Sequence, residues 1–143
     1  MAAAIFPNER LFLDTSFAIA LLVTSDSYHQ RALGLLHSFE QARAIAVTTR
    51  AVLLEIGNGL SRQRNRASAQ RFLRWLEEDP IVAITPLSED LWCEGLELFE
   101  SRPDKDWGMT DCISFTVMQQ LGVRRALTAD VHFEQAGFEA LLR

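Results

Sequence analysis

Short apolar segments that are long enough to be buried strands alternate with segments of helical periodicity along this chain of 143 residues. The first, Leu11 to Leu13, ends at Asp14, and the others are AIAVT at 44–48, IVAIT at 81–85 and RRALTAD at 124–130. Apolar residues recur every three or four positions between them, which predicts intervening helices. Strands that are apolar throughout and alternate with helices are typical of a parallel sheet covered on both faces. We therefore predict an α/β fold with a central, mainly parallel sheet, in a single domain over residues 1–143.

The charge of the chain limits how it could contact nucleic acid. The formal net charge is −5, whereas proteins that bind nucleic acid over a broad surface are usually basic. Any such contact must therefore use a local basic patch. The sequence has no apolar run long enough to span a membrane, and its N-terminus lacks the basic start and apolar segment of a signal peptide.

Cysteine and histidine usage argues against a disulfide framework and against zinc. Cys93 and Cys112 both lie in apolar segments, so we expect buried thiols in a reducing cytoplasm. The three histidines are scattered without ligand spacing, which makes a zinc site improbable.

Four acidic residues are expected at one edge of the predicted sheet. Asp14 ends the first strand and Asp130 ends the fourth, and ligands of open parallel sheets bind beyond the carboxyl ends of the strands. Glu55 lies about two turns into the helix after the second strand, and helical side chains lean toward the N-terminus. Asp111 lies in the first turn of the helix after DKDWGMT. All four carboxylates can therefore meet there, although they are spread over most of the chain.

Each acid also has a purely structural interpretation. Asp14 could cap a helix, Asp111 could favour a helix dipole, and Asp130 could begin a turn. The apolar neighbours of Glu55 in VLLEIG favour a buried flank over a solvated helix position. Taken together, four converging carboxylates repel one another, so at least one pKa should be raised in the absence of a cation. A hard divalent ion removes that repulsion, and oxygen ligands favour Mg²⁺ or Mn²⁺ over zinc.

Hydroxyl side chains next to the acids are expected to cap two of the helices. Thr15 or Ser16 is predicted to cap the helix after the first strand, and Thr110 the helix that contains Asp111. Capping by Thr15 or Ser16 would leave Asp14 free to act as a ligand.

Four segments, FLDTSFAIAL, TTRAVLLEIGNGL, DKDWGMTDCISFTVM and LTADVHFEQAGF, resemble the signature blocks of PIN-domain ribonucleases. They are closest to the VapC-type toxins of VapBC toxin–antitoxin modules. The blocks run from the first strand almost to the last residue, and DWGMTDCISF is far more specific than one acid at a strand end. The resemblance implies a three-layer α/β/α fold and an endoribonuclease that depends on Mg²⁺ or Mn²⁺.

The resemblance also implies roles for individual residues. The acidic set of the family carries over onto the catalytic residues Asp14, Glu55, Asp111 and Asp130. Of these, Asp14 and Asp111 would be the main metal ligands, and Asp130 would complete a second metal position. Glu55 would ligate metal or orient water. Thr15 and Ser16 match supporting hydroxyl positions, and Asp106 is a candidate outer acid. Hydrolysis by in-line attack of water would leave 5′-phosphate and 3′-hydroxyl ends.

The basic side chains that could contact RNA lie near these acids. Arg50 opens the helix of Glu55, Arg62 and Arg64 lie in a predicted loop of sequence SRQRNR, and Lys105 adjoins the acidic block. This loop could hold the RNA backbone or meet an acidic partner, and the sequence leaves both possibilities open. Trp107, beside Asp111, is a candidate for stacking on a base.

The resemblance implies a cognate antitoxin as protein partner and a homodimer. The alternative is a non-catalytic interaction module that keeps the fold and acts through a protein partner, but retention of all four acids argues against it. A haloacid-dehalogenase-type phosphotransferase would need a second Asp where Ser16 stands.

Overall fold

The computed structural model describes residues 4–143. Five strands are present: β1 (Arg10–Leu13), β2 (Ile45–Thr49), β3 (Val82–Thr85), β4 (Arg125–Leu127) and β5 (Glu139–Ala140). The helices over the same residues are α1 (Thr15–Leu22), α2 (His29–Gln41), α3 (Arg50–Gly59), α4 (Gln63–Glu78), α5 (Glu89–Ser101), α6 (Met109–Leu121) and α7 (Val131–Gln135).

The strands form one sheet in the order β3-β2-β1-β4-β5, and every neighbouring pair is parallel. Leu11, Phe12 and Leu13 of β1 are almost completely buried at its centre, whereas β3 is a partly exposed edge strand. This all-parallel sheet with flanking helices confirms the predicted α/β fold and is consistent with a PIN-like α/β/α arrangement. Over residues 4–143, no helix has both the length and the apolar character needed to cross a membrane.

Two of the predicted helix caps are wrong. Asp14, and not Thr15 or Ser16, is the N-cap of α1, because its side chain accepts a hydrogen bond from the Ser16 backbone N–H. Helix α6 begins after Gly108 instead of at Thr110. In both cases a carboxylate takes the capping role that a hydroxyl was expected to have.

The predicted loop SRQRNR is largely helical. Helix α4 already begins at Gln63, with Arg62 at its N-cap, so Arg64 lies in its first turn. The beginning of α4 could not be predicted from the sequence, because its first turn is entirely polar and has no side-chain cap. The first apolar contact comes only at Ala69, which is buried.

The cysteines differ in exposure. Cys112 on α6 is fully buried, but Cys93 on α5 is exposed, which corrects the prediction that both thiols are buried. Helix α5 leaves apolar residues on its outer face, where Trp92 and Phe99 are each 45% exposed. Apolar helical residues therefore did not all indicate core positions.

Helices α5 and α6 pack closely at Gly95, and this contact yields a stability prediction. A Cβ at Gly95 would lie 2.8 Å from Cγ1 of Ile113, whereas a Cβ at Gly34 on α2 meets nothing within 4 Å. Gly95→Ala gains about 1 kcal/mol of helix propensity but overpacks a stiff β-branched neighbour, so we expect a net loss of about 1 to 2 kcal/mol. Gly34→Ala, the control, should gain up to about 1 kcal/mol. Urea unfolding measures both, and equal effects would contradict the close packing.

Candidate active site

The site lies where the strand order reverses. Strands β1 and β4 are neighbours, and the chain moves away from them in opposite directions, to β2 and β3 on one side and to β5 on the other. The Asp14 backbone N–H donates to the Leu127 carbonyl at 3.2 Å, so the pairing of β1 with β4 extends to the residue after β1. A crevice forms at such a reversal, beyond the carboxyl ends of the strands, and it is the usual ligand site of open parallel sheets.

Asp14 is held there by three hydroxyl and backbone donors. Its Oδ2 accepts from Thr128 Oγ1 at 2.7 Å, from Ser16 Oγ at 2.9 Å and from the Ser16 backbone N–H at 3.3 Å. Ser16 Oγ in turn accepts from the Ala129 backbone N–H at 2.9 Å. The carboxylate is therefore fixed in orientation by the first turn of α1 and by the residue that follows β4.

Burial dominates the electrostatics of Asp14. The residue is 4% exposed, and this desolvation raises the pKa of its carboxyl from 3.8 to about 6, although the hydrogen bonds from Thr128 and Ser16 act in the opposite direction. The sequence predicted a raised pKa from repulsion between carboxylates. For Asp14 the rise is present, but its cause is burial.

A second group of ligand atoms lies beyond the end of β4. Asp111, Asp130 and His132 each offer one atom, and these atoms lie within 4.8 Å of one another. His132 Nδ1 is 3.3 Å from Asp111 Oδ2 and 3.3 Å from Asp130 Oδ1. Asp130 caps the short helix α7 through the His132 backbone N–H at 2.9 Å.

Asp111 combines partial burial with charged neighbours. Its Oδ2 accepts from the Gly108 backbone N–H at 2.9 Å, which ties the first turn of α6 to the preceding loop. Desolvation raises the pKa of Asp111, with a further rise from Asp130, while the bond from Gly108 and the nearby His132 lower it. A positive ion between these carboxylates would offset both the burial and the repulsion.

Thr128 connects the two groups. Its hydroxyl donates to Asp14 and accepts from the Asp130 backbone N–H at 3.0 Å. We call the connected residues Asp14, Ser16, Thr128, Asp130, His132 and Asp111 the acidic network.

The residues present fit a divalent cation. The acidic network offers carboxylate oxygens and one imidazole nitrogen, which are ligands of Mg²⁺, Mn²⁺ and related ions. Next to Asp14, the hydroxyl of Thr15 is buried and has no hydrogen-bond partner among the described residues. Buried polar atoms are normally satisfied, so this hydroxyl is consistent with a missing ligand or water.

The group of Asp111, Asp130 and His132 does not include the other predicted acids, although Asp14 is linked to it through Thr128. Glu55 is exposed on α3 and does not belong to the Asp111, Asp130 and His132 group, which corrects the expected buried flank. Asp106 is also exposed, in the loop before α6. The catalytic role of Glu55 and the supporting role of Asp106 therefore stay predictions.

The predicted RNA-binding residues are accessible to different degrees. Arg50 is exposed and forms an ion pair with Glu77 of α4. Arg62 and Arg64 are exposed at the start of α4, and Lys105 is half-buried. Their contact with RNA stays a prediction.

Trp107 cannot stack on a base in this conformation. It is 5% exposed, its Nε1–H donates to Gln135 Oε1 at 3.1 Å, and its ring meets Phe115 edge-on with centroids 5.1 Å apart. The Arg102 guanidinium lies 5.0 Å from its ring centroid. Trp107 instead attaches the loop before α6 to α7, and so helps to position Asp111.

Sequence reasoning missed two residues of the acidic network. Thr128 stands two positions before Asp130 in the LTAD segment, where a strand-end hydroxyl could have been recognised. His132 stands two positions after Asp130, and it was dismissed because it has no histidine partner at ligand spacing. Its actual neighbours are carboxylates, one of them distant in sequence.

Comparison with known sequences identifies the family. Residues 11–139 match the family model of the PIN domain. The chain is also similar to the 23S rRNA-specific endonuclease VapC20 of Mycobacterium tuberculosis, with 27% identity over 128 residues that make up 90% of this chain and 95% of the relative.

Solved structures agree with this result. The crystal structure of Mycobacterium tuberculosis VapC20, described as a Sarcin-Ricin loop cleaving toxin, has a TM-score of 0.80 and 26% identity, covering 90% of this chain and 95% of that one. The fold also matches VapBC2 from Rickettsia felis, bound to a DNA fragment from its promoter, with a TM-score of 0.63, 15% identity and coverage of 92% and 96%. FitAcB from Neisseria gonorrhoeae has a TM-score of 0.64, 17% identity and coverage of 91% and 94%. These matches confirm the resemblance, and the chain belongs to the PIN domain family.

Proposed function

We propose that this chain is a metal-dependent endoribonuclease and the toxin of a type II toxin–antitoxin system. The observation that carries the proposal is the acidic network, which places Asp14, Asp130 and Asp111 around the reversal point of the sheet. Asp14 is buried, Asp111 and Asp130 are half-buried and close together, and none of the three forms an ion pair with Lys or Arg within residues 4–143. Such carboxylates are suited to holding a cation. The similarity to VapC20 over 90% of the chain supports nuclease activity.

The proposed ligands of Mg²⁺ or Mn²⁺ are Asp14, Asp111 and Asp130. When bound, such an ion activates water for attack and neutralises charge that develops on the phosphate. Thr128 and Ser16 hold the Asp14 carboxylate in one orientation, and Gly108 does the same for Asp111. Glu55, exposed on α3, would orient the attacking water, and Thr15 offers a free hydroxyl beside Asp14.

RNA is the proposed substrate, and 23S rRNA is the first one to test because VapC20 is specific for it. In the proposed cleavage water attacks phosphorus, the P–O3′ bond breaks and the 3′-oxygen leaves as a hydroxyl, so the products carry 5′-phosphate and 3′-hydroxyl ends. The ribose 2′-hydroxyl takes no part. The proposed location is the cytoplasm.

The test is cleavage of purified RNA by the purified protein. We expect cleavage with Mg²⁺ or Mn²⁺, none in excess EDTA, and recovery when the metal is restored. Labelling of the ends distinguishes 5′-phosphate products from the cyclic phosphates that a metal-independent ribonuclease leaves. Metal-independent cleavage would contradict the mechanism, and absence of cleavage on any RNA would favour the non-catalytic interaction module.

Arg62 and Arg64 are proposed to contact the RNA backbone. Both are exposed at the start of α4, and neither forms an ion pair within residues 4–143. Replacing both by Ser should raise KM for RNA about 10-fold and flatten its salt dependence, with kcat little changed. Arg31→Ser, exposed on α2, is the matched control. An unchanged KM would contradict RNA contact by these arginines and would favour contact with an acidic protein partner.

The proposed partners are a cognate antitoxin and a second copy of the chain. A groove of about 670 Å³ between α3 and α4 is lined by apolar Leu60, Ala69 and Leu73 and by the charged residues Arg66, Arg74 and Glu77. Because Glu77 is paired with Arg50, the two arginines suit a protein segment that carries both apolar and acidic side chains. Co-purification with the protein encoded by the adjacent gene tests the antitoxin, and light scattering tests the dimer.

A further inference from the structure

We propose that His132 is a nitrogen ligand of the metal centre and makes it bind Mn²⁺ more tightly than Mg²⁺. The inference rests on the proposed function, because it concerns the same centre, and it adds a ligand to the three carboxylates assigned there. The consequence is a mixed oxygen and nitrogen site in place of one built from oxygen alone.

The ring nitrogen is placed as a ligand would be. His132 Nδ1 is 3.3 Å from Asp111 Oδ2 and 3.3 Å from Asp130 Oδ1. Adjacent ligands around an ion with bonds of about 2.1 Å are separated by roughly 3 Å. The nitrogen is therefore within a few tenths of an ångström of the separation expected between neighbouring ligands, for both Asp111 Oδ2 and Asp130 Oδ1, and all three ligand atoms lie within 4.8 Å of one another.

The backbone that carries the imidazole is held in place within helix α7. The His132 backbone N–H donates to Asp130 Oδ1, and the next residue, Phe133, is completely buried. Phe133 meets Phe115 of α6 edge-on, with ring centroids 4.9 Å apart. Because Asp111 also lies on α6, the same contact that anchors α7 sets the distance between His132 and Asp111.

Nitrogen in the ligand set changes which ion is preferred. Mg²⁺ favours oxygen ligands and near-ideal octahedral geometry, whereas imidazole suits transition metals. The carboxylates of the acidic network keep the site suitable for hard ions, and His132 adds a bond from which Mn²⁺ gains more than Mg²⁺. Of the three histidines, His132 belongs to the group of potential ligands among residues 4–143, and His29 and His37 do not.

The direct test is the electron spin echo spectrum of Mn²⁺ bound to the wild-type protein. A nitrogen ligand gives ¹⁴N modulation, which we expect in the wild type and in His37→Ala, and which should be lost in His132→Asn and His132→Ala. A wild-type spectrum without ¹⁴N modulation would overturn the inference, whatever the variants do. This measurement does not depend on catalytic activity.

Calorimetric titration with each ion supplies the second measurement. His132→Asn should weaken Mn²⁺ binding at least about 10-fold and Mg²⁺ binding by less than about 3-fold. Equal losses for both ions would contradict the proposed preference for Mn²⁺. Failure of the wild-type protein to bind either ion would instead contradict the proposed function, so the two failures are distinguishable.

Discussion

Asp14→Asn should abolish RNA cleavage and, in the absence of metal, make the protein more stable at neutral pH. Loss of an outer partner of a metal ligand typically weakens a site about 10 to 100-fold, and we expect loss of a ligand itself to reduce kcat/KM by at least about 100-fold. The asparagine Oδ1 can still accept the hydrogen bonds from Thr128 and Ser16. The variant should therefore fold, and it should lose RNA cleavage because the negative charge of the Asp14 carboxylate is absent.

The stability gain follows from the raised pKa of Asp14. Because its folded-state pKa is about 6 and its ordinary value is 3.8, the folded state binds the proton more tightly than the unfolded state. Its contribution to stability is complete below pH 3.8 and is lost as the pH rises through about 6. Above that pH, the ionised Asp14 lowers the free energy of unfolding by about 3 kcal/mol relative to its protonated form. Asparagine has no charge but buries an NH₂ group, so Asp14→Asn should recover about 1 to 3 kcal/mol of this loss.

Urea unfolding in EDTA at pH 4 and pH 7.5 measures this difference. Wild type and Asp14→Asn should be similar at pH 4, and the variant should be more stable at pH 7.5. Added Mn²⁺ should stabilise the wild type more than the variant, which keeps Asp111, Asp130 and His132 but lacks one ligand. Asp90→Asn, an exposed residue of α5, is the control and should change neither activity nor the pH dependence. Cleavage at an undiminished rate, or a variant less stable at pH 7.5, would contradict the role given to Asp14.

Phe133→Ala should cause the largest loss of stability, about 3 to 5 kcal/mol. Phe133 is completely buried, with its ring centroid 4.9 Å from that of Phe115 and 6.1 Å from that of Phe12. The substitution leaves a cavity between α7, α6 and β1, the elements that carry or precede the acids. Metal affinity should therefore fall together with stability, although Phe133 is not a ligand.

Chemical denaturation measures the stability, and calorimetry at a temperature where the variant is still folded measures the Mn²⁺ affinity. Phe99→Ala on α5 removes the same ring from a position that is 45% exposed, and it should change stability by less than about 1 kcal/mol. Equal losses in the two variants would show that the cluster around Phe133 is not the anchor of α7.

The sequence was sufficient for the order of the strands β1 to β4 and for the edge of the sheet that carries Asp14 and Asp130. Apolar strands of three to five residues and the positions of Asp14 and Asp130 at strand ends were enough, because parallel strands bring their carboxyl ends together. It was insufficient where a side chain had two possible partners. A carboxylate and a hydroxyl both cap helices, and only the packing decides that Asp14 caps α1.

The role of His132 could not be read from spacing, because its partner Asp111 is 21 residues away on another helix. The solvent exposure of Glu55 also could not be predicted from the sequence. Glu55 stands among apolar residues, yet it lies beside Leu54, which is itself 65% exposed. Periodicity identifies the mean direction of a helix face, but one helix turn includes both buried and solvent-exposed positions.

The hydrogen bond between Thr128 and Asp14 joins residues that are 114 positions apart, and this bears on protein synthesis. The first strand is made early, but its partner β4 and the residues Asp130 and His132 are made only after about nine-tenths of the domain. A growing or prematurely terminated chain that stops before them carries Asp14 without the groups that orient it. Such fragments should not cleave RNA, so premature termination of translation should not produce a toxic product.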